Sequence, residues 1–157
     1  TVPSNVKEIG KDAFKGNKNL KTIKMSDSVT SVGACAFAKT TKLRNVKLSN
    51  KITFWGDKAF NKSNIYNVKS NWKDNILYCD NAVVSCKNKT KIANIKKGSK
   101  YILSNVFSYS SISKLTIPSG VTYIGKSALE ECNKLNKVDI QYIVTQMNKV
   151  AFFKFSY

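Results

Sequence analysis

The sequence predicts a solenoid, which is a stack of repeated α/β units made mostly of β-strand. Two observations support this fold class, a long-range repeat and the pattern of apolar residues inside each copy. The pattern that runs from Val6 to Met25 returns 23 residues later, from Val29 to Leu48, with its apolar positions and one glycine in phase. A fixed period of this length indicates stacking, because one unit cannot bury its own apolar side. The 157 residues are therefore predicted to form a single domain.

About five and a half copies of the pattern follow one another along the chain. The third copy is one residue shorter than the others and ends on Ser70 instead of an apolar residue, and the fourth has Leu103 where the glycine is expected. The first copy begins close to residue 1, which favours a fragment of a longer protein. The predicted copies lie near residues 6–25, 29–48, 52–70, 99–117, 121–140 and, in part, 144–157.

Each unit is predicted to contain one strand and one short helical turn. The segments that end at Met25, Leu48 and Ile140 alternate apolar and polar residues, which is typical of a strand with one buried face. Stacking aligns these strands in a parallel sheet on one face. The Ile-Gly-x-x-Ala-Phe segment predicts a bend, where glycine supplies backbone freedom, and then a helical turn behind the sheet. The side chains predicted to pack there in a column are Phe14, Phe37, Phe60, Phe107, Leu129 and Phe152.

The repeat is interrupted between residues 71 and 98. Within this stretch Ala82–Cys86 and Lys91–Ile95 are rich in β-forming residues, and the polar residues 87–90 between them are typical of a turn. These two segments predict an inserted β-hairpin, with a further short extended segment at Ile76–Cys79.

The insert contains two kinds of candidate functional residue. Irregular segments that interrupt a regular scaffold often carry contacts, so the aromatic residues Trp72 and Tyr78 are candidate anchors for a ligand. The alternative is that both side chains cover the core where the repeat lapses. Cys79 and Cys86 are close enough in sequence to form a disulfide, and the competing interpretation is that they are small core residues.

The chain is strongly basic, with 27 basic and 9 acidic residues and a formal net charge of +18. Such a charge attracts polyanions, including nucleic acid, acidic glycans and anionic lipid. Arg44 is the single arginine, however, and base readout and bidentate phosphate recognition favour arginine over lysine. The chain is also rich in Asn, Ile, Phe and Tyr, as AT-rich coding would give, so a bias in composition is the competing explanation of the charge.

Several function classes have little support in the sequence. The absence of histidine removes His-based triads, general bases and His metal sites. The four cysteines form no Cys-x-x-Cys pair, and the acidic residues are scattered over different positions of the repeat. No apolar run approaches the roughly 18 residues that span a membrane. The sequence therefore predicts a protein that is not an enzyme and that has no cofactor, metal site or membrane span.

The combination Val-x-x-Ile-Gly-x-x-Ala-Phe and Leu-x-x-Ile-x-Ile, repeated every 23 residues, resembles the BspA-like (Treponema-type) leucine-rich repeat family. Residues 117–125 are especially similar to its usual sequence, and residues 82–92 resemble the hairpin that often interrupts these arrays. The resemblance implies a right-handed leucine-rich-repeat solenoid with parallel strands on its concave face. It also implies an extracellular or cell-surface module for adhesion and host interaction, with a host extracellular-matrix protein among the expected partners.

The concave face is the predicted binding surface, because solenoids commonly bind there. Its outward positions form columns, in which Lys24, Lys47 and Lys69 are expected on neighbouring strands at a spacing of ~4.8 Å. Like charges on neighbouring strands destabilise a sheet, which favours a functional role, and a solvated lysine-rich face is the alternative. The candidate binding residues are Lys21, Lys24, Arg44, Lys47, Tyr66, Lys69, Lys114 and Lys137.

Three functions stay open at this point. The first is a recognition module that binds a protein or glycan through the concave face. The second is a binder of acidic glycan or nucleic acid driven by net charge, which predicts a steep loss of affinity with salt. The third is a structural spacer of a larger surface protein, which predicts no ligand.

Overall fold

The computed structural model describes residues 1–141 and 146–147, and these consist almost entirely of short strands and turns. The chain divides into two compact units, Thr1–Asn71 (unit 1) and Trp72–Tyr157 (unit 2). Both units are built from stacked coils, and a regular coil contributes one strand to each of two sheets. We call the sheet formed by the Leu-x-x-Ile-x-Ile segments the front sheet of its unit, and the other sheet the rear sheet.

Unit 1 contains five strands and two 3-10 helices. Its elements are β1 (Glu8–Ile9), β2 (Thr22–Lys24), β3 (Ser31–Val32), β4 (Asn45–Lys47), β5 (Phe54–Trp55) and the 3-10 helices Asn64–Asn67 and Lys69–Asn71. The rear sheet has the parallel order β1-β3-β5, and the front sheet pairs β2 with β4 in parallel. Each strand thus pairs with the strand one coil away, as the repeat predicts.

The turns between the rear and front strands are bonded from coil to coil. The N–H groups of Asp12, Phe14 and Gly16 each donate to a carbonyl of the second coil, at 2.8 to 2.9 Å. A helix would direct these donors to carbonyls four residues earlier in the same coil. The helical turn predicted from the Ala-Phe spacing is therefore absent in the described coils of unit 1, and an extended stack of hydrogen-bonded turns takes its place.

Two residues of each regular turn have a left-handed backbone, four positions apart. In the second coil they are Cys35 and Lys39, with φ of 55° and 58°. The other pairs are Asp12 and Gly16, Lys58 and Lys62, Asn105 and Tyr109, and Ser127 and Glu131. Because L-residues rarely adopt this conformation, its recurrence at fixed positions shows that the coil-to-coil bonding dictates the backbone here.

The repeated glycine provides space between coils. A Cβ atom on Gly33 would come within 3.0 Å of the backbone of Lys11, and one on Gly56 would meet the backbone of Ala34 in the same way. Neither glycine has a left-handed φ, so the prediction that glycine is needed here for backbone freedom is wrong. At Gly10, in the first coil, nothing lies within 4 Å of the added atom.

The predicted aromatic column forms in unit 1. The rings of Phe14 and Phe37 are stacked with centroids 5.4 Å apart, and those of Phe37 and Phe60 with centroids 5.2 Å apart. Phe37 and Phe60 are fully buried, whereas Phe14, at the end of the column, is half-buried. Phe37 therefore has a stacked ring on both of its faces.

The third coil of unit 1 departs from the predicted strand. Residues Asn64–Asn67 and Lys69–Asn71 form 3-10 helices, so the front sheet of this unit has two strands instead of three. The preceding turn is one residue shorter than in the other coils of unit 1, and Ser70 lacks the apolar side chain that would anchor the end of a strand. The side-chain amide of Asn71 donates a hydrogen bond to the carbonyl of Ile65 at 3.0 Å, across the two 3-10 helices.

Unit 2 contains nine strands in its described part. These are β6 (Trp72–Lys73), β7 (Ile76–Cys79), β8 (Ala82–Cys86), β9 (Ile92–Asn94), β10 (Tyr101–Ile102), β11 (Lys114–Ile117), β12 (Tyr123–Ile124), β13 (Lys137–Ile140) and β14 (Gln146–Met147). The rear sheet has the order β14-β12-β10-β8-β7-β6, and the front sheet has the order β13-β11-β9. The pairs from β8 to β14 in the rear sheet are parallel, as are both pairs of the front sheet.

The hairpin uses different strands from those predicted. Strand β7 pairs antiparallel with both β6 and β8, through tight turns with a left-handed backbone at Asp74, Asn75 and Asp80. The segment Lys91–Ile95 contains β9, which lies in the front sheet parallel to β11. The predicted pairing of Ala82–Cys86 with Lys91–Ile95 is therefore wrong, because the two segments are the rear and front strands of one coil.

The core of unit 2 follows the same rules as that of unit 1. Phe107 and Leu129 are buried at the positions of the predicted column, and Phe152 lies outside the described residues, as does most of the predicted sixth copy. A Cβ atom on Gly125 would lie 2.5 Å from the backbone nitrogen of Ser104. The glycine of this coil thus allows the same close approach of the preceding backbone.

Candidate functional site

The front sheet of unit 1 carries two of the three lysines predicted to form a column. Lys24 of β2 and Lys47 of β4 are adjacent in the parallel register, and both are exposed. The residues that flank Lys24, Ile23 and Met25, are buried. Strand alternation therefore places the apolar residues in the core and the lysines outward, as predicted.

The predicted third row of this column is not part of the sheet. Tyr66 and Lys69 lie in the 3-10 helices of the third coil, where Tyr66 is half-buried and Lys69 is exposed. The structure thus contradicts the expected stack of three lysines on neighbouring strands, because the third coil has no front strand.

The front sheet of unit 2 brings Lys114 and Lys137 side by side on β11 and β13. The same row continues on β9 with Ile92, which is 55% exposed and which the sequence pattern did not identify because its segment was assigned to the hairpin. The sequence signal for this front strand was the alternation of apolar Ala93 and Ile95 with polar Asn94 between them. In the structure the two apolar side chains are buried and Asn94 is exposed.

Unit 1 has a hollow at the bend that leads into its front strands. It has a volume of about 500 Å³ and is lined by Lys21, Thr22, Lys42, Arg44 and Asn45. The backbone N–H of Arg44 donates to the carbonyl of Lys21 at 3.0 Å, so the two basic side chains start from neighbouring coils.

Unit 2 has a hollow at the equivalent bend. It has a volume of about 480 Å³ and is lined by Lys89, Lys91, Ser111, Ser113 and Lys134. The N–H of Ser113 donates to the carbonyl of Lys91 at 2.7 Å, which is the counterpart of the bond between Arg44 and Lys21.

The two hollows are alike in their chemistry. Each is lined by three cationic side chains and two neutral polar ones, with no acidic and no aromatic residue. Within the described part of the chain, none of the six cations forms an ion pair. The sequence predicted Lys21 and Arg44 as binding residues but not Lys42, Lys89, Lys91 or Lys134. These four lysines recur just before the front strands, and this recurrence was the signal that could have identified them.

The aromatic residues of the insert have different environments. Tyr78 is only 4% exposed, its hydroxyl accepts a hydrogen bond from the N–H of Lys96 at 3.2 Å, and the Lys96 Nζ lies 4.5 Å from the ring centroid. Burial raises the pKa of the Tyr78 hydroxyl. Trp72 is half-buried, with the Lys87 Nζ 5.0 Å from its ring centroid. Tyr78 therefore belongs to the core and is not a candidate contact, which is the alternative that the sequence left open.

The structure does not bring Cys79 and Cys86 together. In the antiparallel register Cys79 lies opposite Ala82 and Cys86 lies opposite Ile76, so the two cysteines are at opposite ends of the β7-β8 pair. Cys86 lies four residues of extended strand beyond Ala82, which is about 13 Å. The Cα atoms of a disulfide are at most about 7 Å apart. The predicted disulfide is contradicted, and all four cysteines are free thiols.

One cysteine is expected to be reactive in the folded protein. Cys35 is partly exposed, whereas Cys79, Cys86 and Cys132 are buried, and burial raises the pKa of all three of these thiols. A raised pKa lowers the thiolate fraction at pH 8, and the thiolate is the reactive form. A thiol reagent should modify one cysteine rapidly in the native chain and all four in denaturant. Only two reactive thiols in denaturant without reductant would establish a disulfide and contradict this prediction.

Residues 1–141 contain no group of three or more His, Cys, Asp or Glu side chains placed to hold a metal ion. In the same range, no helix has both the length and the apolar character required to cross a bilayer.

Stacked coils with parallel strands, a spacing of about 23 residues and a buried apolar column define a leucine-rich repeat protein. The profile of the BspA type leucine rich repeat region matches residues 1–88 and 79–157, with six copies of the repeat. The chain belongs to this family.

Three solved structures are similar to the chain. A leucine rich cell surface protein from Faecalibacterium prausnitzii A2-165 is 26% identical over 90% of this chain and 31% of its own, with a TM-score of 0.46. The Leucine Rich Repeat protein of T. pallidum is 20% identical over 93% and 71%, with a TM-score of 0.46. The pneumococcal vaccine antigen PcpA is 16% identical over 87% and 49%, with a TM-score of 0.39. A search of the curated proteins finds no match.

Proposed function

We propose that this chain is a non-enzymatic recognition module, displayed on a cell surface or secreted, that binds a protein or glycan ligand through its front sheets. The carrying observation is the front sheet of unit 1, where Lys24 and Lys47 project outward and the inward residues Ile23, Met25 and Leu48 are buried. Membership of a solenoid repeat family supports this proposal, since solenoids commonly present such a sheet for binding.

The outward positions of the front sheets differ from coil to coil while the inward ones stay apolar. In unit 2 the outward row next to Lys114 and Lys137 contains Asn94, Thr116 and Asp139. Side chains on this face therefore change without affecting the core, which suits a surface selected for its ligand. A structural spacer with no ligand is the competing function.

Charge reversal of the lysine pair tests this proposal. Lys24→Glu combined with Lys47→Glu is expected to weaken binding to a ligand found in a panel of extracellular-matrix proteins by about tenfold, or about 1.4 kcal/mol. The physical reason is the loss of two cations and the introduction of two repelling charges at the contact. Affinity is measured by surface plasmon resonance at two salt concentrations, because contacts driven by net charge alone weaken steeply with salt.

The matched control reverses two exposed lysines away from the front sheet, Lys7→Glu with Lys51→Glu, and carries the same change in net charge. A second control is Lys69→Glu, because Lys69 lies in a 3-10 helix and not on a front strand. Equal losses in the lysine-pair variant and in the Lys7 and Lys51 control would reject the front sheet as the binding surface. Absence of any ligand in the panel would favour the spacer.

A further inference from the structure

We propose that each of the two lysine-lined hollows binds a sulfate group of a sulfated glycan. This inference rests on the proposed function, since it names the ligand class of the recognition module. It places the primary contacts at the bends before the front strands rather than on the strands themselves. Each hollow is treated as a separate site within its own unit.

The hollow of unit 1 concentrates positive charge at one bend. Lys21 and Arg44 start from adjacent coils that lie roughly 5 Å apart, and Lys42 contributes the third cation. These three cations leave one bend with a positive potential that attracts an anion. Thr22 and Asn45 add neutral side chains that can donate hydrogen bonds to sulfate oxygens or sugar hydroxyls.

The hollow of unit 2 repeats this arrangement with different residues. Lys89, Lys91 and Lys134 supply the charge, and Ser111 and Ser113 supply the hydroxyl groups. The same chemistry therefore occurs at the same position of the repeat in both units, although the residues that provide it come from different coils. A bias in overall composition predicts lysines anywhere on the surface, and it does not predict clusters at the same position of the repeat in both units.

The composition of the hollows favours a sulfated glycan over nucleic acid. Unstacked bases bind on aromatic side chains, and neither hollow is lined by one. Base edges are read mostly by bidentate arginine, and Arg44 is the only arginine of the chain. Lysine binds an anion as a point charge without a fixed fork geometry, which suits sulfate groups on a flexible saccharide.

The test compares hollow variants with charge-matched controls. The probe is a size-defined heparin oligosaccharide, and the competitors are the same oligosaccharide after chemical desulfation and a single-stranded DNA of equal charge. Affinity is measured by isothermal titration calorimetry at two salt concentrations, and the fold of each variant is checked by circular dichroism. The hollow variants are K21Q/K42Q/R44Q in unit 1 and K89Q/K91Q/K134Q in unit 2. The controls remove three exposed lysines from the same unit, K7Q/K11Q/K51Q and K73Q/K97Q/K126Q.

The expected result is at least about tenfold weaker binding of the sulfated oligosaccharide in each hollow variant, and a change of less than about threefold in each control. Desulfation should abolish binding in the wild-type chain. Equal losses in the hollow variants and the controls would overturn the proposal in favour of net charge. DNA binding of equal strength that depends on the same residues would overturn the assignment of a glycan.

The proposed function can fail independently of this inference. A wild-type chain that binds a matrix protein but not the sulfated oligosaccharide would overturn the sulfated-glycan sites and leave the recognition module intact. A chain that binds neither would overturn both.

Discussion

Gly56→Ala is expected to destabilise unit 1 by about 3 kcal/mol, which is a large fraction of the stability of a domain. The added methyl group would collide with the backbone of Ala34 in the preceding coil. Backbone atoms cannot rotate away as a flexible side chain can, so two coils must separate and their hydrogen bonds must lengthen. The free energy of unfolding is measured by urea denaturation.

The fluorescence of Trp55 provides a local probe for this measurement, because its side chain is buried and its ring centroid lies 6.1 Å from that of Phe60 in the core of unit 1. The second tryptophan, Trp72, belongs to unit 2 and is removed as Trp72→Phe in all variants. Unfolding of unit 1 is then followed separately from that of unit 2.

The matched control is Gly10→Ala, the same substitution at the same position of the first coil. No atom lies within 4 Å of the added methyl group, and Gly10 does not have a left-handed φ. Alanine restricts the unfolded chain more than glycine does, so we expect a stabilisation of up to about 1 kcal/mol. Equal destabilisation by the two substitutions would show that glycine is used for backbone freedom and not for space.

Phe37→Ala is expected to cost about 3 to 5 kcal/mol. Its ring is fully buried and is stacked on one side by Phe14 and on the other by Phe60. The substitution removes both stacking contacts and leaves a cavity in the middle of the column. The same urea denaturation of the Trp72→Phe background measures the loss.

Two controls separate burial from stacking in this column. Phe14→Ala removes a half-buried ring with one stacked neighbour, and it should cost about half as much as Phe37→Ala. Phe37→Leu keeps most of the volume, and Leu129 occupies the equivalent position in unit 2, so a loss below about 1.5 kcal/mol is expected. A cost for Phe14→Ala as large as that for Phe37→Ala would contradict the role of the column in stacking the coils.

The period of the sequence predicted the features that depend on one coil meeting its copy. Ile9 and Val32 are 23 residues apart, and they pair side by side in the rear sheet. Likewise Lys24 and Lys47 were predicted as neighbours because identical positions of adjacent coils must align. The fold class is therefore readable from spacing, whereas the family was recognised from the resemblance of the repeated residues to the BspA-type sequence.

The errors concern interactions that local spacing does not specify. Ala82–Cys86 and Lys91–Ile95 both contain strands, but strand propensity does not state the partner. The turn of the hairpin was predicted at residues 87–90, whereas the structure has its turns at Asp74-Asn75 and Asp80-Asn81. The Ala-Phe spacing suggested a helix, but the donors of this segment bond to the next coil. A bond between coils leaves no trace in the periodicity of one turn.

Only part of the candidate binding surface was predicted correctly. Strand alternation identified Lys114 and Lys137 as outward neighbours, which the register confirms. Tyr66 and Lys69 were misplaced because a shortened turn abolished a strand that the period still predicted. Lys42, Lys89, Lys91 and Lys134 of the hollows were missed because they lie at the bends before the strands, where neither helical nor strand periodicity applies.

The left-handed pairs have a consequence for how such a chain diversifies. The second residue of each pair varies in chemistry, with exposed Tyr109 at one coil and a lysine, a glutamate or a glycine at others. Since the bonding between coils holds the backbone there, these positions tolerate side chains of different chemistry without a change in the fold of the coil. An array of this kind can acquire new surface chemistry one coil at a time, because the side chain changes while the backbone of the coil stays the same.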